Sequence, residues 1–137
     1  MNYPSIKNMR ELTEIQCRKA VERGDFDLKE ILEDVPGFDP EHPRYAALIL
    51  TQSWCPQWKT MKNYLPDAEK RFSGLEIFYI EYDLVPWFEE FMAFKETAYK
   101  NREVPYVRYY REEQCIAWSN FVSLEGFLHR LNSRSLT

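Results

Sequence analysis

The sequence predicts an α/β fold, a mixed sheet flanked by helices with an N-terminal helical extension. Three observations carry this reading. Tyr45 to Gln52 is a short, nearly continuous apolar run, the character of a strand buried on both faces. Directly after it, Trp58, Met61, Leu65, Ala68 and Phe72 recur at alternating steps of three and four, which lays one apolar stripe along a helix. Later, the strand-like runs Val104 to Tyr110 and Gln114 to Trp118 flank Arg111-Glu112-Glu113, the pattern of an antiparallel hairpin with a short charged turn.

The elements follow in order. Ile6, Met9, Leu12, Ile15 and Ala20 fall at roughly helical spacing and predict a helix over 5–23, with Gly24 placed to terminate it. A shorter helix follows, capped by Asp27 with Glu30 at the capping-box position; Leu28, Ile31, Leu32 and Val35 form its apolar face before Pro36 ends it. Residues 36–44 contain three prolines and a glycine and read as an irregular connector. After the strand at Tyr45, Pro66 falls inside the striped helix and predicts a kink. Leu75 to Tyr82 reads as a second strand, in which Glu76 and Glu81, with Asp83 just beyond, are expected to be solvated. Pro86 suits a helix start, and Trp87, Phe88, Phe91, Phe94, Lys95 and Ala98 mark the covered face, Lys95 through its stem alone. Ser123 caps a last helix whose buried face is Leu124, Phe127, Leu128 and Leu131.

Composition narrows the function classes. A chain of 137 residues that is 45% hydrophobic suits one structural unit, divided here into an extension and Pro-rich connector over 1–44 and the main domain over 45–137. The net charge of −4 and the lack of any basic run argue against nucleic acid as a partner. No apolar segment approaches the roughly 20 residues of a membrane span, so no membrane association is expected. The start, Met-Asn-Tyr-Pro-Ser-Ile-Lys, lacks the apolar stretch of a secretory signal, and a cytoplasmic location is expected. Three widely spaced cysteines, Cys17, Cys55 and Cys115, suit neither a disulfide framework nor a four-ligand zinc site, and no metal is expected. His42 and His129 suggest no ligand either.

Cys55 is the one thiol that the pattern singles out. It stands where a buried strand passes into a helix, so the unpaired N–H groups and positive end of that helix should face its sulfur. Helix N-termini lower a cysteine pKa from about 8.5 to between roughly 3.5 and 7.5. Pro56 fits the first helical turn because its missing N–H would have gone unpaired there. An exposed, helix-capping nucleophile is therefore expected.

Trp54-Cys55-Pro56-Gln57-Trp58 after a hydrophobic strand, with Val104-Pro105 opening the later hairpin, resembles the thioredoxin and glutaredoxin superfamily over about Tyr45 to Leu131. The resemblance implies a thioredoxin-like domain over 45–137, with Cys55 as nucleophile and Pro105 at the position of a cis proline. It further implies that Trp54, Pro56, Gln57, Trp58, Val104 and Pro105 contact substrate, while Trp58, which begins the apolar stripe of its helix, also reads as core filling and Gln57 also reads as a solvated helix-start residue. Two departures bear on function. Dithiol members carry a resolving cysteine three residues after the nucleophile, where this chain has Trp58, and many carry a buried carboxylate six residues before it, where this chain has Ile49. A Cys-X-X-Cys disulfide cannot form. What remains is monothiol exchange through mixed disulfides, with protein disulfides or thiols as partners, glutathione as a candidate co-substrate and no resident cofactor. The alternative is a redox-inactive module that holds a protein partner on the Trp54, Trp58 and Pro105 surface.

Overall fold

The computed structural model describes residues 9–39 and 45–133. The readings for Ile6, for His42 and for the chain end beyond Ser133 fall outside the described residues.

Among the described residues five strands form one sheet: β1 (Met9–Glu11), β2 (Tyr45–Thr51), β3 (Leu75–Glu81), β4 (Tyr106–Arg111) and β5 (Gln114–Ser119), in the spatial order β1-β3-β2-β4-β5. β1 and β2 lie parallel to β3, with Met9 opposite Ile77 and Ala47 also opposite Ile77. β4 runs antiparallel to β2, Leu50 opposite Tyr106, and β5 antiparallel to β4. The central position of β2 explains its sequence, since a strand paired on both edges and covered on both faces has no place for polar side chains.

The helices are α1 (Glu14–Arg23), α2 (Leu28–Glu33), α3 (Pro56–Arg71), α4 (Phe88–Ala98) and α5 (Leu124–Leu131). Alternation along β2 splits the core in two. Ala46, Leu48 and Leu50 face a cluster with Cys17, Ile31, Phe91 and Phe94 of α1, α2 and α4. Ala47 and Ile49 face Cys55, Trp58, Met61, Leu65 and Phe127 on the side of α3 and α5. The stripe read along α3 is the face it buries: Trp58, Met61, Leu65 and Ala68 have no accessible surface. Each Leu- or Met-sized member contributes about 1.5–3 kcal/mol by leaving water. The helix runs on through Pro66 without a break.

The structure corrects the N-terminal reading. Met9–Glu11 is an edge strand, and helix begins only at Glu14, where Thr13 and Gln16 exchange cap hydrogen bonds of 3.1 and 2.9 Å. Ile15, counted into the apolar stripe, is 68% exposed, while Leu12 and Cys17 take the buried places. A strand and a short helix in series mimic the spacing of one long helix, and pairing with β3 decides between them. A second correction concerns Lys95. Its ammonium does not reach solvent: the whole side chain is buried in the core beside α4. Ala98, placed on the covered face, is exposed. Gly24 ends α1 at φ 80°, as its position foretold. No described helix is long and apolar enough to cross a membrane.

Candidate functional site

The C-terminal end of β2 delivers the chain to the site. After Thr51 the backbone turns, Cys55 donating its N–H to the Gln52 carbonyl at 3.2 Å, and α3 starts with Pro56 in its first turn. Cys55 is the N-cap residue, with extended backbone at φ −70°, ψ 118°, and its carbonyl accepts the Lys59 N–H at 3.2 Å. Its side chain makes no cap hydrogen bond, so the first N–H groups of α3 are not consumed by the sulfur.

Asp83 holds this turn from the next strand connection. Its carboxylate accepts from the Ser53 N–H at 2.7 Å and from the Ser53 hydroxyl at 2.6 Å. Two charge-assisted bonds on one residue fix where the chain enters α3. Glu81, at the end of β3, accepts from the Trp58 indole N–H at 2.9 Å, with the Lys62 ammonium 3.8 Å away. Neither carboxylate is simply solvated, and Glu76 is buried as well, contrary to the reading of the three as a solvent-facing cluster. These acids alternate with apolar residues as solvated ones would, so the pattern alone held no sign of their partners.

From the other side comes the segment before β4. The Val104–Pro105 peptide bond is cis, and the Val104 carbonyl accepts from the Cys55 thiol at 3.6 Å. Asn120, in the turn after β5, donates to the Pro105 carbonyl at 3.1 Å and pairs with Asn101 at 3.0 Å. Lys95 donates to the carbonyls of Asn101 and Glu103, both at 2.8 Å. Burial pulls the Lys95 ammonium down to about 8, against the opposing pull of Glu96 and Glu103.

These segments enclose an open groove of about 690 Å³, lined by Trp54, Cys55, Pro56 and Gln57 at the helix start, Arg102, Glu103 and Val104 on the loop, and Asn120 and Phe121. Trp54 is 60% exposed and tethered to Gln52 through its indole N–H. Cys55 itself is only 3% exposed, less than the sequence implied, because Val104 closes over its sulfur. Of the residues expected at the site, Trp58 and Pro105 do not line the groove. Trp58 has no accessible surface and tilts against Tyr79, so it presents nothing to a partner. Pro105 is buried, and its carbonyl accepts from Asn120, which lines the groove.

The other two thiols lie elsewhere. Cys17 and Cys115 belong to the core on the face of the sheet opposite that of Cys55. Burial, with Glu11 and Glu14 adding to it, pushes the Cys17 thiol up to about 12. Cys115 is also raised by burial, although the Arg108 guanidinium opposes the shift. All three cysteines are free.

A five-stranded sheet ordered β1-β3-β2-β4-β5, a cysteine at the start of the helix after β2 and a cis proline before β4 define a thioredoxin-like α/β protein. Comparison with solved structures agrees on the fold. Thioredoxin NaTrxh from Nicotiana alata superposes with a TM-score of 0.60 over 98% of this chain and 99% of its own, at 7% identity. Reduced thioredoxin pre-protein of Schistosoma mansoni gives 0.59 over 92% and 97% at 12% identity, and oxidized thioredoxin O2 of Arabidopsis thaliana 0.58 over 91% and 92% at 9%. No protein-family model and no curated protein sequence matches the chain. The chain has the thioredoxin fold, and the likeness extends over its N-terminal elements as well as the region from Tyr45 onward.

Proposed function

We propose that this protein catalyses monothiol thiol–disulfide exchange through Cys55. The observation that carries the reading is the placement of Cys55 at the N-cap of α3, on a groove of about 690 Å³ beside the Val104 carbonyl. The Cys55 thiolate attacks one sulfur of a substrate disulfide, forming a mixed disulfide and expelling the other sulfur as a thiolate. A second, external thiolate then attacks the mixed disulfide, leaves with the bound half and restores Cys55. Glutathione is the natural class of resolving thiol, because Trp58 occupies the position of a resolving cysteine and Cys17 and Cys115 lie across the sheet. Trp54, Pro56, Gln57 and Val104 receive the substrate, and Pro105 shapes the groove through its backbone. Three free thiols suit a reducing compartment such as the cytoplasm.

A second reading draws on the low exposure of Cys55 and on the aromatic pair Trp54 and Phe121 at the groove: a binding module that grips an extended partner without turnover. Reduction of glutathionylated peptide by glutathione, with and without Cys55→Ser, separates the two. Monothiol exchange requires turnover by the parent protein, a glutathione adduct on Cys55 in intact-mass spectra, and loss of both in the variant. No turnover and no adduct in the parent protein would leave the binding module as the better account.

A further inference from the structure

We propose that Lys95 is a positioning residue for Cys55: its buried ammonium holds the loop at 101–104 so that the Val104 carbonyl covers the sulfur. The inference rests on reading Cys55 as the reactive group. The loop has no regular secondary structure between the end of α4 and β4, so its position must come from side chains. Lys95 supplies a large part of that. Its Nζ lies 2.8 Å from the Asn101 carbonyl, 2.8 Å from the Glu103 carbonyl and 3.5 Å from Asn101 Oδ1. Asn101 Oδ1 in turn accepts the Glu103 N–H at 3.0 Å, so the ammonium and the amide grip the same turn from within. Glu103 is bonded directly to Val104, the residue whose carbonyl meets Cys55 Sγ at 3.6 Å.

An ammonium kept out of water needs acceptors, and here its acceptors are backbone groups of the groove loop. Among the described residues no carboxylate appears as a hydrogen-bond acceptor of Lys95. A side chain that served only as core filling would be apolar at this place. A lysine whose donors converge on two carbonyls instead fixes a loop whose outer residues, Arg102 and Glu103, line the groove. Asn120 secures the same loop from the turn after β5, bonding both Asn101 and the Pro105 carbonyl.

Release of the loop should therefore uncover Cys55 and weaken the groove together. The test is the iodoacetamide alkylation rate of each cysteine, by peptide mass spectrometry, in the full chain and in Lys95→Met and Asn120→Ser. Expected is at least a threefold faster reaction at Cys55 with Cys17 unchanged, and a KM for glutathionylated peptide raised at least threefold. Cys17 is the control for global opening, being fully buried in the other core. A parallel rise at Cys17 and Cys55 would reduce Lys95 to a stability role and overturn the proposal, as would an unchanged Cys55 rate in folded variants. If Lys95→Met does not fold, Asn120→Ser decides by the same ratio. Alkylation needs no turnover, so a parent protein without exchange activity counts against the monothiol reading alone.

Discussion

Titration of Lys95 gives a measurable dependence of stability on pH with a definite sign. The folded-state value near 8 lies below the ordinary 10.5, so the folded protein binds this proton less tightly than the unfolded chain. The penalty for burying the ammonium is fully present below pH 8 and is relieved as the pH rises toward 10.5. Between pH 7 and pH 9.5 the relief comes to about 2 kcal/mol, out of about 3 kcal/mol for the whole interval. The charges that face Lys95 among the described residues are Glu96 and Glu103, with the Tyr106 ring 5.7 Å away. Other groups work in the opposite direction: Tyr79, Tyr99, Tyr106, Tyr110 and Cys17 are all raised by folding, and the unfolded chain gains by ionising them. Subtraction of Lys95→Met removes those shared contributions. Urea unfolding of both proteins at pH 7 and pH 9.5, under reducing conditions, should show the parent protein gaining about 2 kcal/mol on the variant. A gain below about 0.5 kcal/mol would mean that the ammonium is not held away from water, and the account of the loop would fail with it.

Three further outcomes are expected. Trp58→Phe removes the N–H bonded to Glu81 and leaves space in a face without accessible surface, costing about 2–4 kcal/mol in urea unfolding. A loss under 1 kcal/mol would show that Trp58 does not lock α3 to β3. Asp83→Ala frees Ser53 and should destabilise the fold by about 1–2 kcal/mol, the partial exposure of both residues limiting the effect. Crystallographic comparison should show the Gln52–Trp54 turn displaced; an unmoved turn would assign its geometry to the backbone bond from Cys55 to Gln52 instead. At the hairpin, Glu112 and Glu113 both have positive φ, 48° and 78°, which costs a non-glycine residue about 1–2 kcal/mol apiece. Glu112→Asn with Glu113→Gly should raise the thermal midpoint, and an unchanged or lower midpoint would contradict the turn geometry.

Much of this architecture was legible from side-chain periodicity. β2, the α3 stripe and the hairpin are each long enough for their spacing to exclude the alternative, and each lies where the pattern put it. β1 was not legible, because three residues carry too little alternation to compete with an apparent helical stripe running from Met9 to Ala20. Cys55, Trp54, Pro56, Gln57 and Val104 could be brought together on paper only through the resemblance to the thioredoxin and glutaredoxin superfamily, and the structure places them at the ends of the adjacent strands β2 and β4. Lys95, Asp83 and Asn120 could not. Their roles consist of hydrogen bonds to groups outside their own helix, strand or turn, and such bonds leave no residue pattern. Lys95 at an apolar helical position was a visible signal: a charged residue on a buried face requires acceptors, and the question of which ones would have pointed to the loop ahead of β4.

The replacement of a resolving cysteine by Trp58 changes what the groove must do if exchange is the activity. In a dithiol site the second thiol is always present, and the mixed disulfide is short-lived. Here Trp58 is locked into the α3 core by Glu81 and Tyr79, and the other two thiols, Cys17 and Cys115, lie across the sheet from Cys55. The mixed disulfide must persist until a thiol arrives from solution, and the groove must hold one half of the substrate while admitting the second thiol. An open groove beside a covered sulfur meets both demands: Trp54 and Phe121 offer apolar surface for retention, and the loop gripped by Lys95 limits approach to Cys55. On this argument loosening the loop has two opposed effects. It speeds attack by small thiols on Cys55 and shortens the stay of the substrate half. Lys95→Met should therefore accelerate release of glutathione from a Cys55 adduct by dithiothreitol at least threefold, even as the variant binds glutathionylated peptide less well. Slower or unchanged release would show that the loop does not guard the sulfur.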